Sequence, residues 1–291
     1  MHSACLVSVI VPTHNRLNDL LETLQSLFAQ EHSQLEVLVI DNRSTDGTAE
    51  VVQGLALHEP RLRYLYEDQP GVNVARNRGC LEASGDLLAF LDDDEVASPD
   101  WLTRLLAAMD ETGAGGVGGP YQPLWQASPP RWLLKSRCMQ ETLSFMDFGE
   151  ARAPVEWLLG GNALYTRAAL LDASYFGVAP GRIGASGVTG GGDISVGRRV
   201  RSSGHSLWFE PSAVVYHKVP PERMRLPYIL RRAFWSGYND IAIGRQWEMS
   251  HKAVSAVKRG PDAIALGMVI LPGILWGRLQ VKLGRLTPQP G

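Results

Sequence analysis

Leu87-Leu88-Ala89-Phe90-Leu91-Asp92-Asp93-Asp94-Glu95 is the stretch on which the reading of this chain turns. Its apolar half has the length and character of a buried strand. Its acidic half places a row of carboxylates at the strand end. Neighbouring Asp side chains repel one another, and close packing becomes tolerable when a divalent cation sits among them. A hard ion such as Mg²⁺ or Mn²⁺, held by one or two carboxylates together with substrate phosphates, suits the arrangement. The alternative is the acidic N-terminus of a helix, since Ser98-Pro99-Asp100 opens one a few residues later. This stretch alone leaves both open.

Outward from it, the first half of the chain alternates strand and helix patterns. Leu6 to Val11 is a β-rich apolar run. From Arg16 to Ala29, Leu17, Leu20, Leu21, Leu24, Leu27 and Phe28 recur at the spacing of one helix face. Leu35 to Ile40 predicts a second strand, ended by Asp41. Ser44 or Thr45 is placed to cap the helix carrying Val51, Val52 and Leu55. Leu62 to Tyr66 predicts a third strand, and Asn73 to Ala83 a helix leading to the acidic strand. This alternation predicts an α/β fold, a mostly parallel sheet with helices on both faces. Ligands of such sheets bind beyond the carboxyl ends of the strands. Pro12-Thr13, Asp41 and Asp92 to Asp94 all fall there.

After a short strand at Gly116 to Pro120 the pattern loosens. Residues 121 to 154 read as long loops with one helix. Gly160-Gly161-Asn162 leads into a strand at Ala163 to Tyr165 and a helical turn at Arg167 to Leu171. Gly181 to Gly192 holds six glycines and reads as a mobile loop. A helix from Asp193 to Ser203 follows, then strands at Trp208-Phe209 and Val214 to Tyr216, then a basic helical region from Arg223.

A net charge of −2 gives no basic footprint for nucleic acid. Cys5, Cys80 and Cys138 form no metal spacing and no even disulfide set, which fits a reducing, cytoplasmic setting. The first apolar run has no cationic region before it and is interrupted by Pro12, so it reads as a strand rather than a signal peptide. Ala263 to Gly277 is uncharged, and Arg278, Lys282 and Arg285 follow. These fifteen residues fall short of the roughly 20 that span a bilayer. A helix packed on the domain and an interfacial segment beside anionic lipid both fit, with peripheral membrane contact through 261–285 favoured.

Four segments taken in order carry a family resemblance. They are Val7-Ser8-Val9-Ile10-Val11-Pro12-Thr13-His14-Asn15-Arg16, then Asp41-Asn42-Arg43-Ser44-Thr45-Asp46-Gly47-Thr48, then Gly71-Val72-Asn73-Val74-Ala75-Arg76-Asn77-Arg78-Gly79, and Leu91 to Asp94. With Gly160-Gly161-Asn162 and Asp193, they resemble the motifs of family 2 glycosyltransferases over roughly residues 6 to 217. The resemblance implies a GT-A fold with a helical C-terminal extension. A domain at 1–220 would have a nucleotide-binding half about 1–120 and an acceptor-binding half about 121–220, followed by an extension at 221–291. It implies metal-dependent, inverting transfer from a nucleotide sugar to a carbohydrate or lipid-linked acceptor, in polysaccharide or glycolipid synthesis.

By that resemblance Pro12, Thr13 and Asn15 shape the base pocket, and Asp41 accepts the uracil N3–H unless it merely caps the next helix. Arg76 places its guanidinium on base or diphosphate, whereas Arg78 is a solvated helix residue. Asp94 ligates Mn²⁺ or Mg²⁺, Asp92 contacts ribose, metal-bound water or metal, Asp93 shares either role, and a late His217 completes the metal site, binds the diphosphate or stays structural. Asp193 is the base that inversion requires, or else a helix N-cap. His14 is read as structural, and Trp125, Trp132 and Trp157 as covers of core edges or platforms for sugar rings.

Two residues depart from the family pattern: Asn42, where a second Asp is common, and Gly192, where an acidic residue commonly precedes the base. Glu156 is the candidate to compensate for the second. No G-x-G-x-x-G follows the first strand, which argues against a dinucleotide enzyme. A sugar nucleotidyltransferase and a non-catalytic sugar-nucleotide or glycan-binding module remain as rivals.

Overall fold

The computed structural model describes residues 5–145, 148–177 and 192–242, and single residues between 268 and 282. The chain opens with β1 (Val7–Thr13), α1 (Leu17–Phe28), β2 (Leu35–Asp41), α2 (Thr48–Ala56), β3 (Leu62–Tyr66), α3 (Val72–Glu82) and β4 (Leu87–Phe90). It continues with β5 (Glu95–Ala97), α4 (Trp101–Thr112), β6 (Gly116–Gly118), β7 (Tyr121–Trp125), α5 (Arg131–Lys135), α6 (Arg137–Thr142) and β8 (Ala153–Pro154). Then come β9 (Ala163–Thr166), α7 (Arg167–Asp172), α8 (Gly192–Ser202), β10 (Leu207–Phe209), β11 (Val215–Val219) and, after a 3₁₀ turn, α9 (Leu226–Ala242).

Among the described residues, eight strands form one sheet in the order β3-β2-β1-β4-β9-β6-β10-β8. β3, β2, β1 and β4 run parallel, as expected for strands joined by helices. β9 enters antiparallel between β4 and β6. Every residue of β1, β2 and β4 is buried, which is why these strands read as unbroken apolar runs rather than alternating ones. Pro12 is tolerated in a central strand because pairing with β4 ends at Ile10, two residues earlier. Beyond that point β1 and β4 are no longer paired, and the acidic turn occupies the opening.

Packing divides the described chain into two compact units: 5–122 with 148–177 and 192–217, and 123–145 with 218–242 and the residues between 268 and 282. In the first, Ile10, Leu38, Phe90, Tyr165, Phe176 and Val196 share a core between the sheet, α3, α7 and α8. The second has its own cluster around Leu133, Val219, Met224 and Ile229.

Two expectations change. The residue at the N-cap of α2 is Gly47, whose φ of 85° a side chain would strain, and not Ser44 or Thr45; Asp46 binds Thr48 just inside. Residues 121 to 154 hold β7, α5, α6 and β8 instead of loops with one helix, short elements whose turns carry too few residues to show a period. β5 starts inside the acidic run itself, at Glu95. The glycine-rich expectation at Gly181 to Gly192 lies, except for Gly192, outside the described residues, as does most of 261–285. Among the described residues no helix is long and apolar enough to cross a membrane.

Asn162 locks the turn before β9. It is fully buried, donates to the Pro120 and Ala213 carbonyls at 2.9 and 3.0 Å, and accepts from Trp101 Nε1 at 2.8 Å. Asn162→Ala strands these buried groups and is expected to cost about 3–5 kcal/mol. Urea unfolding at unchanged m-value measures it, and a loss below about 1 kcal/mol would refute this account.

Candidate active site

The acidic run turns sharply after β4, and its carboxylates divide among several partners. Asp93 is buried and accepts from the Thr13 hydroxyl at 2.8 Å and from Arg16 at 3.0 Å. Asp94, equally buried, lies 2.8 Å from the same Arg16 nitrogen and 3.6 Å from His217 Nε2. Asp92 is about one-third exposed and meets Arg76 at 2.8 Å. Glu95 folds back, so that its carboxylate accepts the Asp92 N–H at 2.9 Å and the Tyr121 hydroxyl proton.

Arg76, on α3, is buried, and its other terminal nitrogen meets Asp193 at 3.1 Å, so one guanidinium spans two carboxylates. Phe176 lies under its face, 5.6 Å from ring centre to guanidinium carbon. Asp193 sits in the first turn of α8, where the positive helix end also favours an anion.

Electrostatics follow from this crowding. Burial, then the neighbouring Asp94 charge, push Asp93 up to about 7 even though Arg16 and Thr13 oppose the shift. Burial and the neighbouring Asp92 and Asp94 charges hold Glu95 well above the usual carboxylate range. Asp193 is raised as well, by the protein packed around it, with Arg76 pulling the other way.

The Gly160-Gly161 turn has a steric reason. A Cβ on Gly160 would strike the Asp193 carboxylate, and one on Gly161 would strike that of Glu95. The Gly161 N–H also donates to the Tyr121 oxygen at 2.8 Å, which completes a relay to Glu95.

Asp41 ends β2 beneath this rim, accepting from the Ser44 N–H and the Tyr64 hydroxyl, both at 2.8 Å. Asn15, at φ 53°, ties the end of β1 to the loop after β2 through Ser44 and Thr45. Pro12 is buried within β1. His14 bonds the Asn42 carbonyl, and Arg78 is exposed and paired with Glu82. Trp157 packs edge-on against Phe148 and Trp125 against Phe145. Glu156 is exposed.

His217 reaches the acidic turn through strand register. β11 runs antiparallel to β5 and sets His217 directly opposite Glu95, with the Tyr121 ring 5.5 Å from the imidazole. Asp94, Glu95 and His217 thereby offer ligand atoms all within 4.8 Å of one another. Asp92, expected beside them, is engaged by Arg76. Arg16, Glu95 and Tyr121 are the partners that sequence reasoning missed. Arg16 reads as an ordinary helix-start residue, and Tyr121 as part of a loop.

A family model for glycosyl transferase family 2 matches residues 8–171, the segment that carries β1 through β9 and the acidic turn. The chain belongs to glycosyltransferase family 2. It is 35% identical over 236 residues to the succinoglycan biosynthesis protein ExoM of Rhizobium meliloti, covering 79% of this chain and 72% of that one. The glycosyltransferase AglE of Haloferax volcanii is 28% identical over 92% of this chain and 81% of its own length. Among solved structures, the mannosyltransferase PcManGT of Pyrobaculum calidifontis, in complex with GDP-Man and Mn²⁺, superposes with a TM-score of 0.59. Its identity is 21%, over 96% of this chain and 70% of that one. The fold is GT-A, and the protein is a glycosyltransferase. Asp193 and His217 lie beyond the segment matched by the family model.

The raised Asp93 gives this transferase a pH signature. Its folded pKa, about 7, exceeds the ordinary 3.8, so the folded state binds the extra proton and loses stability as pH rises across that window. Melting curves between about pH 4 and 7 should show the ligand-free protein falling relative to Asp93→Asn. Parallel curves would refute the assignment.

Proposed function

We propose that this transferase moves a sugar from a nucleotide donor, UDP-linked in the first instance, onto a carbohydrate or lipid-linked acceptor with inversion. The observation carrying the proposal is the pair of carboxylate sets joined by Arg76: the Asp92–Glu95 turn on one side and Asp193 on the other. The two chemical tasks of inverting transfer, holding a diphosphate leaving group and taking a proton from the acceptor hydroxyl, need such a pair.

On this reading β1 to β4, within about 1–120, form the donor half, and the acceptor half covers about 121–220. Asp41 takes the uracil N3–H: its two contacts leave lone pairs on both oxygens. Pro12, Thr13 and Asn15 shape the floor of the base pocket at the end of β1. The donor set of Asp94, Glu95 and His217, oxygens with one imidazole nitrogen, fits a divalent ion of the Mn²⁺ type. Bound there, such an ion would neutralise the departing diphosphate. Asp92 and Asp93 keep the turn in shape through Arg76, Arg16 and Thr13. Asp193 accepts the acceptor proton, and Arg76 opposes the upward shift that burial imposes on its carboxyl. Polysaccharide or glycolipid assembly is supported by the names of relatives such as the succinoglycan protein and a glucosyl-dolichyl phosphate glucuronosyltransferase of Haloferax volcanii.

The test combines binding and turnover. UDP with Mn²⁺ is expected to raise the melting temperature of wild type and of Asp193→Asn alike, while Asp94→Ala loses the metal-dependent part. Ligand at about 100 times its Kd adds about 2.7 kcal/mol, well within detection. Nucleoside diphosphate release from UDP-, GDP- and dTDP-sugars with acceptor should fall by at least about a hundredfold in Asp193→Asn. Transfer by Asp193→Asn at the wild-type rate would remove Asp193 as base.

Peripheral contact with the cytoplasmic face of a membrane belongs to the same reading. Met268, Leu271, Leu275 and Leu279 are exposed at helical spacing, with Trp276, Arg278 and Lys282 also exposed and Ile274 buried. An apolar face beside cations suits anionic headgroups. The protein should sediment with phosphatidylglycerol vesicles more than with phosphatidylcholine vesicles at about 0.1 M salt. Equal or no sedimentation with both counts against it.

A further inference from the structure

Gly192 opens α8 directly before Asp193, and the side chain facing it is Asn73. This asparagine is buried, and its Nδ2 donates to the Gly177 carbonyl at 3.0 Å. A Cβ built on Gly192 would come within 2.6 Å of Asn73 Nδ2 and 3.0 Å of its Oδ1. Contacts that close force one partner to move, and the amide cannot move without breaking its bond to Gly177. The space that a side chain at 192 would need is therefore already filled.

Asn73 does not act alone on α3. Arg76 and Asn77 lie three and four residues on, along the same helix face. Asn77 donates to the Phe176 carbonyl and accepts from its N–H, both at 2.9 Å. Ser174 and Tyr175, just before, hold positive φ of 55° and 56°, a conformation that costs energy for non-glycine residues. Arg199, on α8, binds the carbonyls of Ala173 and Tyr175 and helps to hold them there. One polar stripe thus fixes the chain at Phe176 and Gly177, packs against Gly192, and grips Asp193 through Arg76.

We infer that Asn73 is a positioning residue for Asp193: its amide, anchored on Gly177, fills the space beside Gly192 and sets the start of α8 so that Asp193 meets Arg76. The group that fills the space beside Asp193 is then a neutral amide, which adds no charge to repel its carboxylate. Glu156, whose side chain is exposed, does not take that place. The inference rests on the reading of Asp193 as base.

A double-mutant cycle over Asn73→Ala and Gly192→Glu tests it, read as kcat and donor KM for the nucleotide sugar the wild type turns over. A displacement of about 1 Å at a reacting group is worth about a hundredfold in rate, so Gly192→Glu should lose kcat on that scale while its donor KM stays within about twofold. Asn73→Ala makes room for the new side chain, and the double variant should recover at least about tenfold over Gly192→Glu. Gly192→Ala, which adds the Cβ alone, serves in the same cycle if the Glu variant does not fold. Wild-type kcat in Gly192→Glu, or a double variant no faster than Gly192→Glu, overturns the proposal. The base reading fails separately, through transfer by Asp193→Asn at the wild-type rate.

Discussion

Four carboxylates in one turn, three of them buried, create a repulsion that the surrounding fold is arranged to contain. The acids are met by partners from several segments. Asp93 and Asp94 share Arg16, Asp92 takes half of Arg76, and Glu95 is drawn back onto the turn's own backbone and Tyr121. Burial and the neighbouring carboxylate charges still raise Asp93 and Glu95. On the proposed reading, a divalent ion held by Asp94, Glu95 and His217 would relieve that crowding.

Arg76 connects this turn to the other side of the site. A guanidinium offers parallel donors in a rigid fork, so one side chain can hold Asp92 and Asp193 at once, which a lysine ammonium does less well. Its burial over Phe176 strengthens both pairs, because little water screens them. Asn73 and Asn77 flank it along α3 and fix the backbone at Phe176 and Gly177, with Asn73 also filling the space beside Gly192. The sequence Asn73-Val74-Ala75-Arg76-Asn77 is thus a single device with a helical period, and its object is the geometry of Asp193.

Much of this is legible in the amino-acid sequence. The parallel half of the sheet shows in unbroken apolar runs, since strands buried on both faces need no alternation, and the helices between show in their leucine spacing. Asp41, the acidic turn and Thr13 can be placed at strand ends for the same reason. The ordered motifs bring the family into view, and Asp193 with it. What stays hidden is pairing. Nothing near Arg16 marks it as the counterion of residues 93 and 94, because the contact spans a sequence separation of 77 that only the β1–β4 neighbourhood closes. Glu95 reads as one more acid in a run, although it folds inward while Asp92 stays partly in solvent.

The sequence by itself determined the architecture and the chemical inventory: an α/β sheet, carboxylates at its strand ends, glycines before a strand, and a candidate base at a helix start. Periodicity and residue type suffice for that, because they act locally. The tertiary structure decided which groups meet. Antiparallel register between β5 and β11 sets His217 opposite Glu95, and one residue of slip would turn its side chain to the other face of that sheet. Likewise Gly160 and Gly161 acquire their meaning only when Asp193 and Glu95 press against them from distant segments. Close contact between groups far apart in sequence depends on register and packing, which no local pattern encodes.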